Sequence, residues 1–487
     1  MNFNSLAFLL FLPTVVGMTW LLPHRFRKYW LLAASWFFYA YWNPLLLLLL
    51  LASTVIDYGC GRGMERFSDR PRVKKALLLC SVLMNLGLLF FFKYWDFFAS
   101  ECNALLALLR LPPHVPMLHL LLPVGISFYT FQTMSYSIDV YRGDAPAERD
   151  FVVFALFVSF FPQLVAGPIE SPAHLLPQLK AKHRPNWADT AAGVRLLLCG
   201  FFRKCVVADC CGIYVNAVFA HAETADSFAI LAGGALFCIQ MYCDFAGYSE
   251  IAMGAARLLG IRLVRNFDRP YLSQSYAEFF RRWHISLNRW FTSYVYIPLG
   301  GSRRGRARKI LNTLIVFALC GLWHGARWTY VLWGLYAAFW VCLESLFLKR
   351  TEAALTRRNI DLTHPGIVLF RRVYMFLIFL PAAILFRAPS VAQAGTMLSR
   401  LFTAGFDVSA SLSMMGLNGF GLLQLALILL GMAAIYPWTA DDLPPAANPR
   451  IQMRRVAVTA YFVLVIALCW LALLQSQDLA GFAYFQF

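Results

Sequence analysis

Charge is what this chain most lacks. Only 14% of its 487 residues are Asp, Glu, Lys or Arg, while 60% are hydrophobic. Soluble globular domains are nearer a quarter charged, so that class is excluded. Strand-like alternation of apolar and polar residues is missing too, which argues against a transmembrane β-barrel. No polar stretch is long enough to be an inserted soluble domain. Met1–Leu22 has neither a basic lead-in nor a small-x-small cleavage site, and is expected to be a retained first span.

Acidic residues are scarce, 25 against 43 Lys and Arg, for a formal net charge of +18. No nucleic-acid-binding module accompanies this excess, so nucleic acid is not an expected partner. The cations fall in short loops, where they orient spans and meet anionic lipid headgroups. Several chemical signatures are also missing. Without Gly-x-x-x-x-Gly-Lys-Ser/Thr an ATP-driven machine is disfavoured, and no Gly-x-Ser-x-Gly nucleophile elbow occurs. Without His-Glu-x-x-His or paired Cys-x-x-Cys, no metal is expected. The 12 cysteines are scattered, mostly in apolar runs, and read as small packing residues.

What is present is a series of apolar segments: 3–22, 29–56, 76–98, 117–140, 151–167, 192–217, 228–256, 310–348, 367–387, 414–436 and 456–474. They predict an all-α, polytopic helical membrane protein, a single integral domain over 1–487, with about ten to thirteen spans or half-spans. Asn43-Pro44 divides 29–56 into two short helices. Arg25, Arg27 and Lys28, then Arg62, Arg66, Arg70, Arg72, Lys74 and Lys75, place the first two loops in the cytoplasm and the N-terminus outside. Lys180, Lys182 and Arg184 break simple alternation; a re-entrant segment at 151–170 resolves the conflict. Arg450, Arg454 and Arg455 hold the last loop inside, which leaves the C-terminus outside.

Basic clusters at Arg303–Lys309 and from Lys349 to Arg372 flank 310–348, so this segment should enter and return as a hairpin turning near Gly325-Ala326-Arg327. His324 then lies about 15 residues in, roughly 20 Å along a helix. A titratable imidazole in such a setting is costly and is a functional-site candidate. A second polar concentration, Glu278–Trp290, reads as one amphipathic helix, with Phe280, His284, Leu287 and Asn288 near one face. In it Glu278 and Arg282 form an i,i+4 pair. A surface helix whose arginines touch headgroups is the alternative. His324 and His284 leave several readings open: a proton relay, a general base on an attacking hydroxyl, or hydrogen-bonded packing residues. Asp244, Glu250 and Gln163 are structural polar candidates, the acids partnered by arginines such as Arg281 or Arg282.

Several long stretches resemble the membrane-bound O-acyltransferase superfamily, in particular its bacterial alginate and polysaccharide O-acetyltransferase branch. They are Gln163–Glu170 (QLVAGPIE), Asp244–Ile261, Asn266–Tyr271 (NFDRPY), Glu278–Arg289 (EFFRRWHISLNR), Tyr296–Arg303, Gly321–Gly325 (GLWHG) and the aromatic end Phe482–Phe487. The resemblance implies a ring of tilted helices with a core at about 120–345, where a cytoplasmic thioester and an external acceptor meet. It implies that His324 is the catalytic base, with His284 the second characteristic polar position. Asn288, Trp323, Arg281 and Trp283 would bind or position substrate. It further implies acetyl-CoA as donor with no bound cofactor, a periplasmic SGNH-type acetyltransferase or polysaccharide acetylation complex as partner, a polysaccharide acceptor, and residence in the bacterial inner membrane. D-alanyl transfer from a phosphopantetheine carrier protein, a transporter using the histidines as a proton relay, and an assembly scaffold are the alternatives.

Overall fold

The computed structural model describes residues 1–435, whose regular elements are all helices, with no strand among them. The last apolar segment at 456–474, the arginines at 450, 454 and 455, the aromatic end and the C-terminus lie outside the described residues. Among the described residues, five helices are long and apolar enough to cross a membrane: Pro44–Arg66, Pro71–Leu108, Ser227–Leu258, Trp328–Arg357 and Pro365–Arg387. The chain is a multi-pass helical membrane protein. Its contacts divide it into two compact units, one of Met1–Leu197 with Ser249–Val264, the other of Leu198–Tyr248 with the chain from Arg265 on.

The first unit begins with α1 (Leu6–Leu21), whose N-terminus is capped by the Ser5 hydroxyl. Segment 29–56 is divided as expected. α2 (His24–Ala40) ends before Asn43, whose side chain accepts from Leu45 N at 2.9 Å, and Pro44 opens α3 (Pro44–Arg66). Then come α4 (Pro71–Leu89), a π-helical turn at Phe90–Tyr94, α5 (Trp95–Leu108) and α6 (Ile126–Arg142). α6 starts later than the apolar run 117–140 because Gly125, at φ +77°, turns the chain immediately before it. Asp57 on α3 is buried among α4 and α6: the Asn85 amide donates to both its oxygens at 3.0 and 2.9 Å, and Ser81 donates at 2.6 Å. The carboxyl group is thereby satisfied by protein donors within the helix packing.

The segment around 151–170 is too short to span. α7 (Phe151–Ser159) and α8 (Phe161–Leu164) break at Phe160, and the nine residues of α7 rise only ~14 Å against ~30 Å of hydrocarbon. This length fits the re-entrant expectation. α9 (Pro172–Lys180) and α10 (Trp187–Phe201) follow. Gly193 on α10 and Gly254 let two helix backbones touch: a Cβ on Gly254 would stand 2.7 Å from Gly193 O.

The second unit contains a π-helical stretch at Phe202–Ala208, α11 (Asp209–Ala220) and most of α12 (Ser227–Leu258). It continues with α13 (Tyr276–Arg282), α14 (Ile285–Phe291), α15 (Arg306–His324), α16 (Trp328–Arg357), α17 (Pro365–Arg387), α18 (Val391–Thr403), α19 (Val408–Met414) and α20 (Gly419–Ile435). The expected hairpin is there, turning over Gly325-Ala326-Arg327 between α15 and α16. Its arms meet backbone to backbone at two glycines. A Cβ on Gly321 would stand 2.2 Å from Tyr330 O, and one on Gly334 2.2 Å from Phe317 O. Only hydrogen fits at either position.

Glu278–Trp290 is not the single helix its pattern predicts. α13 and α14 are separated at Trp283-His284, where His284 takes a left-handed backbone, φ +46° and ψ +54°. Periodicity gave no warning, because the residues responsible lie elsewhere in the chain. Asn266 O accepts from Ile285 N at 2.9 Å and Arg282 O from Asp268 N at 2.9 Å, so residues 266–268 pair with the break. The i,i+4 pair within α13 does form, Arg282 to Glu278 at 2.7 Å.

Candidate functional site

His284 is held from two directions. Its side chain is 1% exposed, and Nδ1 lies 3.1 Å from Asn266 Oδ1. Ser286 donates to that same oxygen from its hydroxyl at 2.9 Å and from its backbone N at 3.3 Å. A backbone N–H can only donate, so the Asn266 atom is the acceptor oxygen and Nδ1 of His284 carries the proton. Nε2 therefore offers a lone pair. Phe245 packs edge-on to the imidazole at 4.6 Å and Trp323 at 5.8 Å.

His324 is the last residue of α15 and is half-buried at the hairpin turn. Trp323, Trp333 and Phe386 pack edge-to-face around it, with ring centroids at 4.9, 5.2 and 5.1 Å. These rings fix the imidazole by shape and leave part of it open, the condition a proton-transferring group needs to reach its substrate. Trp323 packs against both imidazoles, with ring centroids 5.8 Å from His284 and 4.9 Å from His324. His324 lines a narrow cavity of ≈ 30 Å³ together with Asp244, Gln240, Trp283, Phe279 and Phe386. That volume holds roughly two waters.

Asp244 pairs with a lysine, a residue the sequence reading did not name. Lys204 is 1% exposed and bridges Asp244 at 2.8 Å and Asp209 at 2.7 Å. Arg203 beside it lies over the Tyr242 ring at 5.8 Å. The signal was available: Arg203-Lys204 sits inside the apolar run 192–217, where paired cations are costly and therefore meaningful. Asn266 was also passed over, although it opens the NFDRPY stretch.

The remaining expected site residues divide. Trp283 is buried against Phe279 and Phe267, at 5.3 and 5.1 Å, and lines the cavity; Trp323 is buried between the two histidines. Asn288 is turned inward, but its amide donates to the Phe280 and Trp283 carbonyls at 2.5 and 2.6 Å, closing the open end of α13. Arg281 is exposed on α13. Gln163 and Glu250 belong to the first unit. There the Gln163 amide donates to Phe157 O at 3.0 Å across the α7–α8 break, and Glu170 accepts from Val264 N at 2.6 Å. The QLVAGPIE stretch therefore holds loops in place. Among the described residues no cluster of three or more His, Cys, Asp or Glu side chains could hold a metal ion.

Comparison with known proteins matches residues 145–385 to the membrane-bound O-acyltransferase family. The chain is 37% identical to the probable alginate O-acetylase of Azotobacter vinelandii, over 89% of this chain and 84% of that protein. It is 33% identical to the probable alginate O-acetylase of Pseudomonas putida over the whole of both chains. Its identity to the peptidoglycan O-acetyltransferase of Helicobacter pylori is 33%, over 82% of this chain and 76% of that protein.

Proposed function

The chain belongs to the membrane-bound O-acyltransferase family and is an O-acyltransferase, and from that premise we propose that it moves an acetyl group from cytoplasmic acetyl-CoA across the bacterial inner membrane for O-acetylation of an extracytoplasmic polysaccharide. The observation that carries this reading is His324, half-buried in an aromatic cage, lining a cavity and sharing the Trp323 ring with a second, buried histidine. Relatives named for acetylation of alginate and of peptidoglycan support a glycan as the final acceptor.

His324 takes the proton of the acceptor hydroxyl as the hydroxyl oxygen attacks the thioester carbonyl carbon. A C–O bond forms, the C–S bond breaks, and the proton passes from the imidazolium to the departing CoA thiolate. General-base help of this kind is worth about 10²–10⁴ in rate. His284 presents a lone pair and so receives a hydrogen bond; it orients the acceptor hydroxyl or the N–H of His324. Trp323 and Trp283 exclude water from the thioester. Asn288 acts at one remove, by fixing the backbone from which His284 projects. Asp244, tied to Lys204, contributes a fixed polar wall.

The acceptor hydroxyl belongs to the glycan or to a periplasmic SGNH-type acetyltransferase that passes the acetyl group on. No bound cofactor is required by this chemistry. Both termini face the periplasm in this reading.

Proteoliposomes with labelled acetyl-CoA outside and an acceptor glycan inside, with and without an SGNH-type partner, test the reading. Label on the glycan with CoA remaining outside is the expected result. Intact CoA in the lumen would replace it with transport. Label accepted only from a D-alanyl carrier protein would replace acetyl-CoA as donor.

A further inference from the structure

A second cavity, of ≈ 550 Å³, lies wholly within the first unit, at the turn between α1 and α2. Its lining includes Arg25, Arg27, Lys28 and Lys180 against a single carboxylate, Asp150. Part of this charge is engaged. Lys28 pairs with Asp150, Lys180 with Glu148, and Arg27 donates to Leu22 O at 3.1 Å and His183 O at 2.9 Å. Arg25 is exposed; its guanidinium lies over the Phe26 ring at 4.8 Å, and no carboxylate pairs with it among the described residues.

The cations stand where a helix disfavours them. α2 begins at His24, Pro23 supplies no side-chain cap, and no acidic residue occupies the first turn. Arg25, Arg27 and Lys28 therefore add positive charge to the positive end of a 17-residue helix. That arrangement costs energy in isolation and becomes favourable when an anion binds there. The need for cytoplasmic positive charge explains basic residues in this loop, but not their convergence with Lys180 on one cavity. Nor does it explain the apolar, buried part of the lining, Leu31, Val153, Leu259 and Ile261.

We infer that this cavity binds the phosphate of an anionic amphiphile, its cations taking the phosphate and its apolar wall the adjoining chain. Two sources share that chemistry, a membrane phospholipid and the phosphates of a CoA thioester, and the cavity is distinct in composition from the aromatic cage around His324. Basic pockets beside membrane helices recognise headgroups by the same combination of charge and shape.

The test uses the full chain in phosphatidylcholine vesicles containing phosphatidylglycerol. Native mass spectrometry of the extracted protein counts retained phosphatidylglycerol, and a parallel arm measures binding of labelled CoA. Arg25→Gln should weaken retention roughly fivefold and Arg25→Gln with Lys180→Gln about thirtyfold, following the worth of one cation near a charged headgroup. Arg306→Gln, a basic residue outside the cavity, should change nothing. Arg25 supports no buried contact, so its variant stays folded if Lys180→Gln does not. Loss of phosphatidylglycerol alone assigns the site to lipid, and loss of CoA alone assigns it to the donor's phosphates. Unchanged binding of both overturns the inference. His324→Ala should retain both ligands as the parent does, which keeps this result separate from that of acyl transfer.

Discussion

His284 and His324 occupy two breaks in the same unit, and the breaks are built differently. His324 ends a helix at a turn that the chain needs anyway, since α15 and α16 must reverse over Gly325-Ala326-Arg327. Its imidazole is half-exposed and meets mainly ring edges. His284 interrupts what would otherwise be a continuous helix, in a left-handed conformation that Asn266 and residues 266–268 enforce. Its imidazole is buried and one nitrogen is already committed. A group that must gain and lose a proton during turnover belongs in the first setting. A group that must hold an orientation belongs in the second.

Replacing each histidine should therefore have unlike consequences. His324→Ala should lower acetyl transfer about 10²–10⁴-fold while thermal unfolding changes little. His284→Val should instead lower the melting temperature, because a β-branched residue is strained by roughly 1–2 kcal/mol in the left-handed region and the Asn266 bond is lost. His284→Asn tolerates that backbone and should melt closer to the parent. Equal melting of Val and Asn variants would remove the positioning role argued for this break.

Asn288→Ala sharpens the contrast from one step further out. It leaves the Phe280 and Trp283 carbonyls without their amide donor, a loss of about 1–3 kcal/mol. The transfer rate should fall along with the melting temperature, since the defect reaches the reaction through His284. The smallest effect is expected at Glu278→Gln, which removes the partly exposed pair with Arg282. Exposed pairs are worth about 0–1 kcal/mol, so both melting and transfer should stay near the parent values.

The two breaks also differ in how readable they were from sequence. The hairpin turn at Gly325 followed from basic clusters at both ends of 310–348, a long-range signal that needs no knowledge of packing. Asn43-Pro44 divided α2 from α3 through local chemistry alone. The break at His284 has neither signal. EFFRRWHISLNR contains no Gly or Pro, and its spacing suits a helix; tertiary pairing with residues 266–268 overrides that preference. The lysine beside Asp244 escapes a sequence reading for a related reason. Lys204 is 40 positions away in sequence, and only the fold brings its ammonium within 2.8 Å. The family resemblance named both histidines, but it could not say that one is half-open and the other sealed.

Chemical rescue tests the central claim most directly. Labelled acetyl transfer is measured with His324→Ala, alone and with free imidazole added, at matched thermal stability. Near-background transfer that imidazole partly restores is the expected result, with no such restoration for His284→Asn. Near-normal transfer by His324→Ala without imidazole would contradict it.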